Sequence, residues 1–205
     1  MEAIKKILLE WVEELEEYHM PGWSELPDLD LYMDQVITYL ERQLSIFSKS
    51  SEEKLITPSM INNYAKNEII PRPVQKKYTR DHMAHLISVL NLKNILSLME
   101  IARLISHETS DKPIDTFYNR LIKIQDEAIK STATRVKESF LSLETETDKT
   151  DQEKLGLLAL KFSLEANACR IAAKKIIEEL ETKTDSPQQA EIRDKANSNN
   201  RDTAK

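Results

Sequence analysis

Residues 56–105, ITPSMINNYAKNEIIPRPVQKKYTRDHMAHLISVLNLKNILSLMEIARLI, decide the fold of this chain. Thr57-Pro58 places a capping hydroxyl before a proline at the first helical position, where a missing N–H does no harm. The helix this predicts runs over 58–67, with Met60, Ile61 and Tyr64 inward and Asn62, Asn63 and Lys66 outward. Pro71-Arg72-Pro73 then forbids helix and favours an extended path. Thr79 opens the next helix, with Met83, Leu86, Ile87 and Leu90 as its apolar stripe. A short helix over 97–106 follows, carrying Leu98, Ile101, Ala102 and Ile105.

A short helix, a proline-flanked basic strip and a second amphipathic helix are the parts by which a small domain presents a reading helix and a wing to DNA. Charge agrees with that order. The 205-residue chain has net charge −6, yet Lys66, Arg72, Lys76, Lys77 and Arg80 face only Glu68 within 66–80, a local +4. Residues 1–50, by contrast, carry 4 basic and 11 acidic side chains. An acidic protein with one basic patch meets an anion through that patch. Two exposed asparagines on a reading helix are apt for base edges, since Asn pairs bidentately with adenine. The plain structural alternative is a solvated basic loop between core helices.

Working outward, 2–19 and 30–47 each show apolar residues at steps of 3 and 4, so two amphipathic helices precede the central segment. Leu31, Met33, Val36 and Leu40 stand on the inward face of the second. HETSDKP at 107–113 marks an interior boundary, and beyond it two long helices are expected over about 114–143 and 151–182. The apolar face of the last is wider than one stripe, which calls for two packing partners. Cys169 falls on that face and reads as a small packed hydrophobe. Residues 185–205 are polar and read as a disordered tail.

Only two glycines occur, Gly22 and Gly156, which excludes Gly-rich phosphate loops and argues against a hairpin-rich fold. One cysteine permits no internal disulfide. The apolar window 155–177 is interrupted by Lys161, Glu165, Arg170, Lys174 and Lys175, so no membrane span is expected. His82 and His85 stand three apart, a spacing that can hold a metal, but accidental spacing on a charged helix is the better reading. No nucleophile, base and orienter assemble, and no enzyme activity or cofactor is expected.

SMINNYAKNEIIP followed by KKYTRDHMAHLISVLNLKNILSLMEIARLI resembles the winged-helix DNA-binding domain of MerR-type transcriptional regulators. Tyr64 matches the second aromatic of that family's reading helix, Ile69-Ile70-Pro71 the turn after it, and Tyr78-Thr79 the entry to the next helix. Ser97-Leu98-Met99-Glu100-Ile101 matches the motif that ends it. Asn62 stands where the family usually has arginine, Asn63 where it has an aromatic, and Glu68 where it has glycine. With WSELPDLDLYMDQVITYLERQL in front, the segment also resembles an uncharacterised family of low-GC Gram-positive bacteria, domain of unknown function 1836, over roughly 20–125.

The expectation is therefore an all-α, cytoplasmic bacterial protein. Residues 1–50 form N-terminal helices, 51–110 a MerR-like winged helix-turn-helix, and 111–184 a helical hairpin for dimerisation or effector response. Double-stranded DNA is the expected partner of a homodimer. Asn62 and Asn63 would meet bases, Lys66, Arg72, Lys76, Lys77 and Arg80 would contact phosphates, and Tyr78 would belong to the same DNA-binding set. The alternative is a helical protein-interaction or adaptor module whose winged helix does not bind DNA.

Overall fold

The computed structural model describes residues 2–47, 54–144 and 150–184. The predicted polar break at 48–53 and the predicted tail at 185–205 lie outside the described residues. All regular elements among the described residues are helical: α1 (Glu2–Glu17), α2 (Met33–Gln43), α3 (Pro58–Lys66), α4 (Arg80–Leu92), α5 (Leu98–Thr109), α6 (Ile114–Glu144) and α7 (Asp151–Thr184). Single 3-10 turns at Trp23–Glu25 and Ser45–Phe47 flank α2.

The chain divides into two compact units, Met1–Phe162 and Ser163–Lys205. In the first, α6 is the spine, packing against α1, α4 and α5. Val12 and Leu15 of α1 meet Ala133 and Val136 of α6, with Ile46, Ile129 and Phe162 closing the edges. α4 is the most enclosed helix: Met83, Ala84, Leu86, Ile87, Ser88, Val89 and Leu90 are all buried. Such a helix is apolar nearly all round because neighbours cover it on several sides. Ser88 is tolerated there because its hydroxyl donates to the Ala84 carbonyl at 2.8 Å. In the second unit, the α7 turns from Ser163 onward expose Leu164, Ile171 and Ile176.

Hydrogen bonds to α6 hold the connector between α1 and α2. The buried Tyr118 hydroxyl donates to the Pro21 carbonyl at 2.8 Å, and the Asn119 amide oxygen accepts from the Trp23 N–H at 3.0 Å. Tyr18 donates to the Gln43 carbonyl at 3.0 Å. Burial raises the Tyr18 hydroxyl to about 12, and burial raises Tyr118 further.

Two expectations about the helices need correction. The helix expected over 30–47 begins only at Met33, because Leu31 is drawn into an antiparallel bridge with Tyr78. Its final turn is 3-10, at Ser45–Phe47. Cys169 is exposed rather than packed.

His85 gives the α4 region a pH dependence. Its Nδ1 lies 2.8 Å from the Asp81 carbonyl, and burial holds the ring below its ordinary value of 6.5, against the opposing pull of Asp81. Below that value the unfolded chain binds more protons than the folded one, so stability falls as pH drops through the histidine range. His85→Gln is expected to flatten the change in urea midpoint between about pH 7.5 and about pH 5.5. An acid-side slope equal to the parent's would show that this ring plays no part.

Candidate nucleic-acid interface

The site is built from α3 and the segment that follows it. Thr57 caps α3 by accepting from the Met60 N–H at 3.3 Å, with Pro58 at the first helical position. Ile61, Tyr64 and Ala65 are buried, and α3 packs against α2. Lys93 donates to the Leu55 carbonyl at 2.7 Å, tying the approach to α3 onto the end of α4. This leaves Asn62, Asn63 and Lys66 exposed, on the side opposite the buried stripe.

The end of α3 explains how the chain reaches the basic strip. Ile69 N–H donates to the Tyr64 carbonyl at 2.9 Å and Glu68 N–H to the Ala65 carbonyl at 3.3 Å. These are the two bonds of a Schellman ending, with the buried Ile69 and Tyr64 giving its apolar contact. Glu68 takes the left-handed position, at φ 57°. Glycine occupies that position without strain, whereas an L side chain costs about 1–2 kcal/mol there. Glu68→Gly is accordingly expected to stabilise the protein by about 1 kcal/mol, read as a raised urea midpoint. The exposed 3.9 Å ion pair it removes, with Arg72, is worth little. Glu68→Ala keeps the strain and should not gain; equal gains for both variants would sink this account.

Beyond Pro73 the chain reverses on four residues. Lys77 N–H donates to the Val74 carbonyl at 3.0 Å, and Gln75 and Lys76 sit at φ 52° and 63°. Positive φ at both central residues is the signature of a type I′ turn, the hairpin turn whose twist matches paired strands. The strip is thus a tight reversal rather than the simple extended run that its prolines suggest. Tyr78 then exchanges two backbone hydrogen bonds with Leu31, at 2.8 and 2.9 Å. Residues 74, 77–78 and 31 therefore lie side by side, and the 31 segment leads directly into α2.

The expected site residues separate into three groups. Asn62, Asn63, Lys66, Arg72 and Lys76 are exposed. Lys77 and Arg80 are half-buried; Lys77 Nζ lies 5.9 Å from the Tyr32 ring centre and the Arg80 guanidinium 5.8 Å from that of Trp23. Tyr78 is 2% exposed, so its ring belongs to the core and not to a binding surface. It packs edge-on against His82, whose Nδ1 accepts the Thr79 N–H at 3.1 Å and lies 2.8 Å from the Thr79 hydroxyl. That bond caps α4, so His82 is engaged within its own first helical turn, as His85 is with Asp81. Among the described residues no group of three or more His, Cys, Asp or Glu could hold a metal ion.

Tyr32 and Trp23 are site neighbours that sequence reasoning did not single out in this role. Their link to Lys77 and Arg80 spans 45 and 57 residues of chain, with no local signal to announce it.

Residues 21–121 match the model of a domain of unknown function, DUF1836. The matched segment begins at Pro21, the residue held by Tyr118, and takes in α2, α3, the 74–77 turn, α4 and α5. It ends within α6, so α1 and α7 lie outside the DUF1836 match. No curated protein matches the chain. No solved structure matches it either. No described helix is long and apolar enough to cross a membrane.

Proposed function

We propose that this chain is a DNA-binding regulator of transcription, working as a homodimer and reading duplex DNA through a MerR-like winged helix. In this reading α3 is the reading helix and 74–77 the tip of the wing. The observation that carries it is a connection. α3 and the tight basic turn are both tied to one segment, the first by packing on α2 and the second through the bridge to Leu31. A reading helix and a wing need such a common frame, because phosphate contacts can set a register only when the two are rigidly related. Lys66, Arg72, Lys76 and the half-buried Lys77 then supply phosphate contacts. In a dimer the two α3 helices would enter successive major-groove turns, about 34–36 Å apart.

Fluorescence-anisotropy titration of the full chain with duplex DNA at low and moderate salt tests this reading. Binding with a linear fall of log affinity against log salt is expected. Absence of binding at low salt would overturn it.

A second reading, a helical adaptor module with a winged helix that does not bind DNA, is favoured by one observation. Ile4, Ile7 and Trp11 form an exposed apolar row on α1, and Leu157 and Leu160 are exposed on α7. Co-purification of a protein partner together with failure to bind DNA would select it.

A further inference from the structure

Asn63 and Asn67 form a pair whose amide orientations are settled by geometry. Asn67 Nδ2 lies 2.8 Å from the Asn63 backbone carbonyl, and a carbonyl oxygen only accepts. The atom of Asn67 at that place is therefore its amide nitrogen. The same nitrogen lies 2.9 Å from the Asn63 side chain, so Asn63 must turn its amide oxygen toward it. Asn67 N–H also donates to the Asn63 carbonyl, at 3.0 Å, so the two residues are joined by three hydrogen bonds from one donor residue. Asn63 Oδ1 is thereby held along the helix toward Asn67, and Nδ2 is the atom turned away from it. Both residues are exposed and four apart: Asn63 lies in the C-terminal half of α3, the helix proposed to read DNA, and Asn67 is its C-cap.

A free asparagine offers one donor and one acceptor, the pattern that matches adenine N6 and N7. An asparagine whose oxygen is already engaged offers mainly a donor. The major-groove edge of guanine, O6 and N7, carries acceptors only. From this geometry we infer that Asn63 selects guanine over adenine at one position of the site, and that Asn67 is the positioning residue that sets this preference. The inference rests on the proposed DNA-binding reading and corrects the adenine pairing that a lone asparagine suggests.

The test is selection of bound sequences from random duplexes by the full chain and by two variants. The parent is expected to enrich guanine at one position, with a preference over adenine of roughly five- to tenfold. Replacing that guanine by 7-deazaguanine, which lacks the N7 acceptor, should weaken binding by the parent. Asn67→Asp can only accept, so it takes the Asn63 Nδ2 hydrogen and turns the oxygen outward. The preference should then move to a base presenting an amino group, adenine or cytosine. Asn67→Ala frees the amide and should raise adenine relative to guanine. A merely structural role for Asn67 would change affinity at every sequence and leave the base preference alone.

DNA binding by the parent with the same base preference in both variants overturns the inference and leaves the DNA-binding reading intact. So does indifference of the parent to the deaza substitution, which requires no variant to fold. No enrichment of any duplex by the parent overturns the DNA-binding reading itself.

Discussion

Replacing Lys76 and Lys77 together by glutamate is expected, under the proposed DNA-binding reading, to weaken duplex binding on the order of 100-fold at low salt and to flatten its salt dependence. Each phosphate contact contributes about 0.9 to the slope of log affinity against log salt, so losing two lowers the slope by about 1.8 per protomer. A dimer would lose twice that. The loss should be nearly uniform across sequences, because phosphates position a protein without specifying bases.

Lys76 occupies the left-handed corner of the 74–77 turn and is exposed, so its side chain takes no part in the core. Lys77 is half-buried with its ammonium near the Tyr32 ring, a contact of about 0.5–1 kcal/mol at such a site. Thermal stability should therefore change little while binding collapses. Equal salt slopes for parent and variant would remove this turn from the interface.

Tyr118→Phe is expected to destabilise the protein by about 1–3 kcal/mol, without touching the basic turn. Tyr118 is fully buried, and its hydroxyl is a donor to the Pro21 carbonyl. Phenylalanine keeps the ring, and with it the edge-on contact to Trp23 at 6.3 Å, but leaves that buried carbonyl without this donor. Tyr118→Ala adds a cavity and should cost about 3–5 kcal/mol.

Urea unfolding of both variants measures the two costs. A phenylalanine variant within about 0.5 kcal/mol of the parent would mean that the Pro21 carbonyl finds another donor. The hydroxyl also carries an alkaline signature. Burial raises its folded value above the ordinary 10.0, so the unfolded chain ionises first. The parent is then expected to lose stability as pH rises beyond that value while the phenylalanine variant loses less, and their difference narrows.

Local chemistry made the helical fold legible. Apolar steps of 3 and 4 located every long helix, and Thr57-Pro58 and Thr79 marked the starts of α3 and α4 to the residue. Two glycines in 205 residues argued correctly against hairpin-rich architecture. The exposed set Asn62, Asn63, Lys66, Arg72 and Lys76 followed from the same helical period and from the prolines.

What the period could not show is where distant segments meet. Leu31 reads as the first inward residue of a helix, yet it bonds to Tyr78, 47 residues on, and that bridge delays α2 to Met33. Tyr78 reads as one more member of a basic strip, and the same bridge turns it into the core. Gln75-Lys76 contains no turn residue of the favoured kind. The reversal there is imposed by pairing on either side, not by local preference. Glu68 likewise takes a position suited to glycine because Ile69 and Tyr64 are buried around it. Sequence by itself determined the helices, their caps and the sign of the charge on the 66–80 strip, since each depends on residues within a turn or two. Tertiary structure alone decided that Tyr78 enters the core and that the strip reverses at 74–77, because both depend on Leu31, a partner 47 residues away that only folding supplies.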